Sequence, residues 1–133
     1  MPHFIAECTD NIREQADLPE LFRQVHDCLA ASGLFPLAGI RSRAHWLDTW
    51  RMADGEADYA FVHCTLQIGS GRSEAQRRAT AEQVFALIQR HFEPLFAQRY
   101  LALSFELTEL SATLNFKHNN VHQRFRPPED SAC

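Results

Sequence analysis

Apolar residues at helical spacing mark two segments of the chain, and alternating apolar residues mark four more. Leu18, Leu21, Phe22, Val25 and Leu29 fall on one face of a helix. Asp17 precedes this run and Glu20 follows three positions later, so a reciprocal capping box is expected to open the helix. Gly33 can close it in the left-handed conformation, and Pro36 prevents its continuation. Ser73-Glu74-Ala75-Gln76 reads as a second capping box. The helix behind it has an expected inner stripe of Ala81, Val84, Phe85, Ile88 and Phe92, with Leu87 at its margin, and Pro94 should end or kink it.

The other segments read as strands. Pro2 to Cys8 is short and partly apolar, with Pro2, Phe4 and Ala6 on one face. In Ile40 to Asp48, Arg41, Arg43 and His45 point one way while Ile40, Ala44 and Trp46 point the other. Tyr59 to Ile68 places Ala60, Val62, Cys64, Leu66 and Ile68 on one face, and Leu101 to Leu110 is rich in Leu and Phe. Asp54-Gly55 suits a turn between the second and third strands. The chain thus reads as one α+β domain over 1–133, in which a strand-helix-strand unit occurs twice, at about 1–48 and 58–110. One sheet would carry both helices on a single face. No third long helix covers the other face, so an oligomer with its sheets turned inward is expected. Residues 111–126 read as a docked arm that reaches a neighbour, and 127–133 as a loose end.

Composition narrows the classes of function. With 45% hydrophobic residues and 10 Phe, the chain has material for a packed core. A formal net charge of -4 supplies no basic field for nucleic acid. No apolar run is long enough to span a bilayer, and MPHFIAECTD lacks the features of a secretory signal, so a cytoplasmic location is the expectation. Cys8, Cys28, Cys64 and Cys133 are widely spaced and form no C-x-x-C pair; three of them lie in apolar or mixed segments and read better as small buried fillers than as disulfides or zinc ligands.

Pro2 carries the sharpest chemical signal. Its small ring favours removal of Met1, which would leave a secondary amine at the head of a strand. An α-amino group titrates at about 7.7 to 8.0, and an apolar setting lowers that value, giving a base competent near neutral pH. Arg41 and Arg43 share a strand face, and Arg72 lies in Gly69-Ser70-Gly71-Arg72-Ser73 just before the second helix. Guanidinium forks grip carboxylates and steady oxyanions. His45 is a further pocket candidate beside Arg41 and Arg43. The glycines near Arg72 match neither nucleotide-binding pattern. His118 and His122 have i,i+4 spacing without a third ligand, so no metal and no other cofactor is expected. On residues alone, a non-enzymatic trimer that binds an anion through its arginines remains open.

The segments PHFI, FPLAGIRSRAHW, YAFVH, GRS and LNFKHNNVH together resemble the 5-carboxymethyl-2-hydroxymuconate isomerase family of the tautomerase superfamily, over nearly the whole chain. The resemblance implies a homotrimer of duplicated β-α-β units with inward-facing sheets. It implies Pro2 as the amino-terminal base and Arg41 and Arg72 as substrate-contacting arginines, with Arg43 and His45 added only from the strand pattern. The implied reaction converts a small tricarboxylate or dicarboxylate dienol, 5-carboxymethyl-2-hydroxymuconate, into its 2-oxo-3-ene tautomer during homoprotocatechuate and 4-hydroxyphenylacetate breakdown. Keto–enol conversion of an arylpyruvate is the neighbouring alternative. Neither nucleic acid nor membrane is an expected partner.

Overall fold

A computed structural model describes residues 1–126; the tail at 127–133, with the expected loose end and Cys133, lies outside the described residues. The elements are β1 (His3–Thr9), α1 (Leu18–Ala31), β2 (Arg41–Leu47), β3 (Tyr59–Ile68), α2 (Glu74–His91), α3 (Glu93–Gln98) and β4 (Tyr100–Glu109). They form one mixed sheet in the order β2-β1-β3-β4. Within each half the two strands pair in parallel, β1 with β2 and β3 with β4, and the halves join where β1 and β3 pair antiparallel.

Strand alternation decides which face meets the helices. Phe4, Ala6 and Cys8 of β1 and Ala60, Val62, Cys64, Leu66 and Ile68 of β3 are all buried. They share one core with Leu21, Val25 and Leu29 of α1 and with Val84 and Ile88 of α2. Phe4 meets Phe22 edge-to-face at 6.0 Å between centroids, and Phe85 stacks on Phe105 at 6.4 Å. Both long helices therefore lie across one face. On the opposite face, Ile5, Glu7, Arg43, His45 and His63 are half-buried or exposed.

Two expectations about the helices need correction. Asp17 does not cap α1: its backbone is left-handed at φ 44 and ψ 55, and its side chain makes no capping hydrogen bond. That conformation swings the carboxylate away from the first N–H groups, and Pro19 leaves one donor fewer to satisfy. Glu20 instead accepts hydrogen bonds from Arg23 and Gln24. In α2 the fully buried positions are Thr80, Val84 and Ile88, whereas Ala81 and Phe85 are half-buried. Thr80 belongs to the seam between α2 and α1, beside Cys28 and Ala31, and a hydropathy stripe misses a polar residue buried at a helix–helix contact. The Ser73 box is complete, with Gln76 N–H donating to Ser73 Oγ and Ser73 N–H donating to Gln76 Oε1, both at 3.1 Å. Pro94 sits at the start of α3, so it restarts the helix just after α2 has ended.

The arm after β4 folds back on its own chain. Asn119 Nδ2 donates to the Ala38 carbonyl at 3.4 Å, and a 3-10 turn at Val121–Phe125 packs against another at Leu37–Gly39. Leu114 and Phe116 stay 74% and 86% exposed, so this fold-back leaves the arm's apolar anchors without cover.

The two helix starts yield a stability prediction. Ser73→Ala removes a complete capping box and is expected to cost about 1 kcal/mol. Asp17→Gly is expected to cost less than about 0.5 kcal/mol, because glycine enters a positive φ freely and no cap is lost. Urea titrations at one protein concentration check this; equal losses would contradict the assigned caps.

Candidate active site

The chain start is held by backbone pairing. Arg41 N–H donates to the Pro2 carbonyl at 3.0 Å, and His3 stands in register with Arg41 across β1 and β2. Pro2 is buried beside the core, while Met1 is half-buried. Arg41 Nη1 lies 3.6 Å from Met1 Sδ, so its guanidinium reaches the residue that precedes Pro2.

Arg72 arrives from the other side. Gly71 takes φ +111, a conformation an L side chain rarely adopts, and so turns the loop from β3 into α2. Arg72 Nη2 donates to the Leu34 carbonyl at 2.7 Å and Nη1 to the Gly69 carbonyl at 3.2 Å. Its guanidinium carbon lies 4.2 Å from the Phe35 ring centroid. Two carbonyls and an aromatic face thus orient a fork that keeps further donors for a ligand.

Two cavities flank Met1. One, of about 410 Å³, is lined by Met1, Pro2, Phe35, Arg72, Lys117 and Asn119 among others; its size is that of small-molecule sites. The second, of about 260 Å³, includes Met1, His3, Arg41 and Lys117. Met1 belongs to both walls, and it separates the cavity that contains Pro2 and Arg72 from the one that contains Arg41. Among the described residues, no Asp or Glu lines either cavity.

Electrostatics follow from that lining. With Met1 present, the terminal amine is held below its ordinary value of 8.0, first by burial and then by the positive charges of Lys117, Arg72 and Arg41. His3 is also lowered, by burial and then by Arg43, Arg41 and the amine. Burial and these cations both disfavour the ammonium form of the Met1 amine relative to an exposed one.

The expected site residues do not all gather here. Pro2, Arg41 and Arg72 surround the chain start. Arg43 and His45 stand exposed on the open sheet face and line neither cavity. Arg43 Nη1 is 3.0 Å from His3 Nδ1, and His45 is in register with Glu7. His118 borders the smaller cavity and His122 the larger. Among the described residues, no group of three or more His, Cys, Asp or Glu is placed to hold a metal ion. Sequence patterning missed Phe35, Lys117 and Asn119. They lie in connections without periodicity, and only the compact NFKHNN run offered a cue, a cation beside amides in an otherwise apolar-anchored arm.

Comparisons with known proteins agree along the chain. A family model described as 5-carboxymethyl-2-hydroxymuconate isomerase matches residues 2–125. The chain is 64% identical over 126 residues to the 5-carboxymethyl-2-hydroxymuconate Delta-isomerase of Escherichia coli, covering 95% of this chain and 100% of that one. It is similar to the crystal structure of a 5-carboxymethyl-2-hydroxymuconate isomerase from Deinococcus radiodurans R1, with a TM-score of 0.89, 42% identity and 95% of each chain covered. A crystal structure of a 5-carboxymethyl-2-hydroxymuconate delta-isomerase matches with a TM-score of 0.86 at 26% identity, covering 96% of this chain and 94% of that one.

The geometry separates the arginines by experiment. Arg72→Ala is expected to raise the pKa of the terminal amine and to weaken binding of a small dicarboxylate by about tenfold or more. Arg43→Ala should do neither to a comparable degree. Amine titration by NMR and calorimetry with the dicarboxylate provide the readouts, and matching effects from the two variants would contradict this placement.

Proposed function

The chain belongs to the 5-carboxymethyl-2-hydroxymuconate isomerase family, and from that premise we propose that the Pro2 amine, freed by removal of Met1, is the base of its reaction. The chain is an isomerase of the tautomerase type. It catalyses isomerisation of 5-carboxymethyl-2-hydroxymuconate in homoprotocatechuate and 4-hydroxyphenylacetate breakdown. The observation that supports Pro2 most directly is its burial at the head of β1, beside an amine-lowering cluster of cations.

In this reading the neutral ring nitrogen accepts the enol proton, leaving a dienolate and a protonated amine. The negative charge spreads along the conjugated system. The protonated amine then delivers a proton to C5, which yields the 2-oxo-3-ene product and restores the neutral base. One nitrogen serves both transfers, so no net proton is gained or lost. Arg41 and Arg72 bind carboxylates on either side of the amine and stabilise the dienolate more than the neutral enol, which lowers the barrier. Several cations and, among the described residues, no lining carboxylate favour a polycarboxylate over an arylpyruvate, which offers one carboxylate.

The same reading assembles three chains with their open sheet faces turned inward. Support comes from the uncovered face and from the exposed Leu114 and Phe116, which need apolar contact that the single chain does not supply. Arg43 and His45 then belong to the buried interior of the assembly or to its site rims, reached only through a neighbour.

Purified protein is expected to have the intact mass of a chain lacking Met1 and to isomerise the dienol. Because the base acts when neutral, kcat/KM should rise with pH through the amine's pKa. The burial and cations that lower the Met1 amine are expected to act likewise on the Pro2 amine, so the half-maximal point should fall below about pH 8, the ordinary α-amine value. A chain verified by mass to retain Met1 should lose most activity. Full activity with Met1 in place would overturn Pro2 as the base.

A further inference from the structure

We propose that Lys117 is the third carboxylate-binding cation of this site, selecting a substrate with three carboxylates over one with two. The inference rests on the Pro2 reading for the position of the reacting centre, and it concerns a residue outside that chemistry. Met1 and Lys117 are the two residues that border both cavities at the chain start, the one containing Arg72 and the one containing Arg41. Once Met1 is gone, Lys117 alone borders both. Its charge acts on the Met1 amine more strongly than that of either arginine.

The arm is built to hold it there. Asn119, two residues on, donates to the Ala38 carbonyl and accepts from Val121 N–H at 2.7 Å, which pins the backbone beside Leu37–Gly39. The Lys117 ammonium enters no ion pair among the described residues. A lysine is a compact charge on a flexible stem, suited to a carboxylate whose position varies on a rotatable carboxymethyl group. Arg72, held on the Phe35 ring and two carbonyls, and the planar fork of Arg41 suit the carboxylates attached directly to the rigid conjugated chain. Three cations then meet three carboxylates without a competing acid in the wall.

The test compares wild type, Lys117→Met and Lys117→Arg on two dienols: 5-carboxymethyl-2-hydroxymuconate and 2-hydroxymuconate, which lacks the carboxymethyl arm. In Lys117→Met the preference for the tricarboxylate, as a ratio of kcat/KM values, should fall by about 10- to 100-fold, carried mainly by KM. Lys117→Arg should restore most of that ratio. The acid limb of kcat/KM in Lys117→Met should also move to higher pH, since removing a nearby cation raises the amine's pKa. An unchanged ratio, or equal losses on both dienols, would overturn the assignment. Failure of Pro2 as base is read separately, from full activity in a Met1-retaining chain whose Lys117 is intact.

Discussion

The hydrogen bond from Arg41 N–H to the Pro2 carbonyl, at 3.0 Å, ties the head of the chain to the parallel β1–β2 ladder. A chain terminus is ordinarily the least ordered part of a domain. Here its second residue is buried, its third is in register with Arg41, and its fourth lies in the core against Phe22. Placing an amine this way matters because proton transfer requires the base within hydrogen-bond reach of its substrate, and errors near 1 Å are costly. The same backbone bond that positions the amine also delivers Arg41 alongside it. Precision at the terminus and placement of the first cation are thus one structural event.

The second half of the duplicated fold supplies the counterpart. The loop between β3 and α2 carries Arg72 toward the same end of the sheet, and Phe35, just before β2, gives it a ring to lie on. A chain with net charge of -4 therefore builds a local site whose described walls hold cations and no carboxylate. The consequences for substrate and base are coupled. Cations that attract carboxylates also disfavour the ammonium form of the amine, so binding polyanions and keeping the base neutral call for the same residues. In the proposed mechanism, the charges of an arriving substrate would offset the cations and make the protonated amine easier to form as a proton is accepted. This alternation suits a group that must first take a proton and then give it back.

Much of this was legible before any coordinates. Strict alternation in β3 foretold its buried face at every position from Ala60 to Ile68, and the Ser73 box marked the start of α2. Arg41 at the start of β2 and Arg72 just before α2 stand near the chain start, as their places beside element ends in the sequence suggest; their roles in the reaction are proposed. Asp17 misled because a capping sequence states which atoms are available and not the backbone angle that aims them; at φ 44 the carboxylate points elsewhere. Thr80 was hidden because hydropathy scores a residue by polarity, while the α1–α2 seam selects by size. Arg43 and His45 follow the strand alternation faithfully, yet each two-residue step along β2 moves about 6.6 Å from Arg41, so Arg43 reaches only as far as His3 and neither residue lines a cavity at the chain start.

The open sheet face is the surface that the proposed assembly would cover. Across all four strands, His45, Glu7, His63 and Ser104 stand in one transverse row, with His63 Nδ1 2.6 Å from Ser104 Oγ. Tyr59, Tyr100, Phe61 and Trp50 gather at one end of that face, where Tyr59 and Tyr100 lie 5.8 Å apart and Trp50 meets Phe61 at 6.1 Å. A partner that covers this surface gains apolar area at the aromatic end but must match polar groups along the row, because buried donors and acceptors without partners are costly. Such a face discriminates among partners instead of adhering to any apolar surface. A second copy of the same chain, turned about a symmetry axis, brings the same row and the same aromatics each time, so one matched contact is repeated around the ring. The proposed trimer then follows from the same feature that leaves the monomer unfinished: a sheet with helices on only one side.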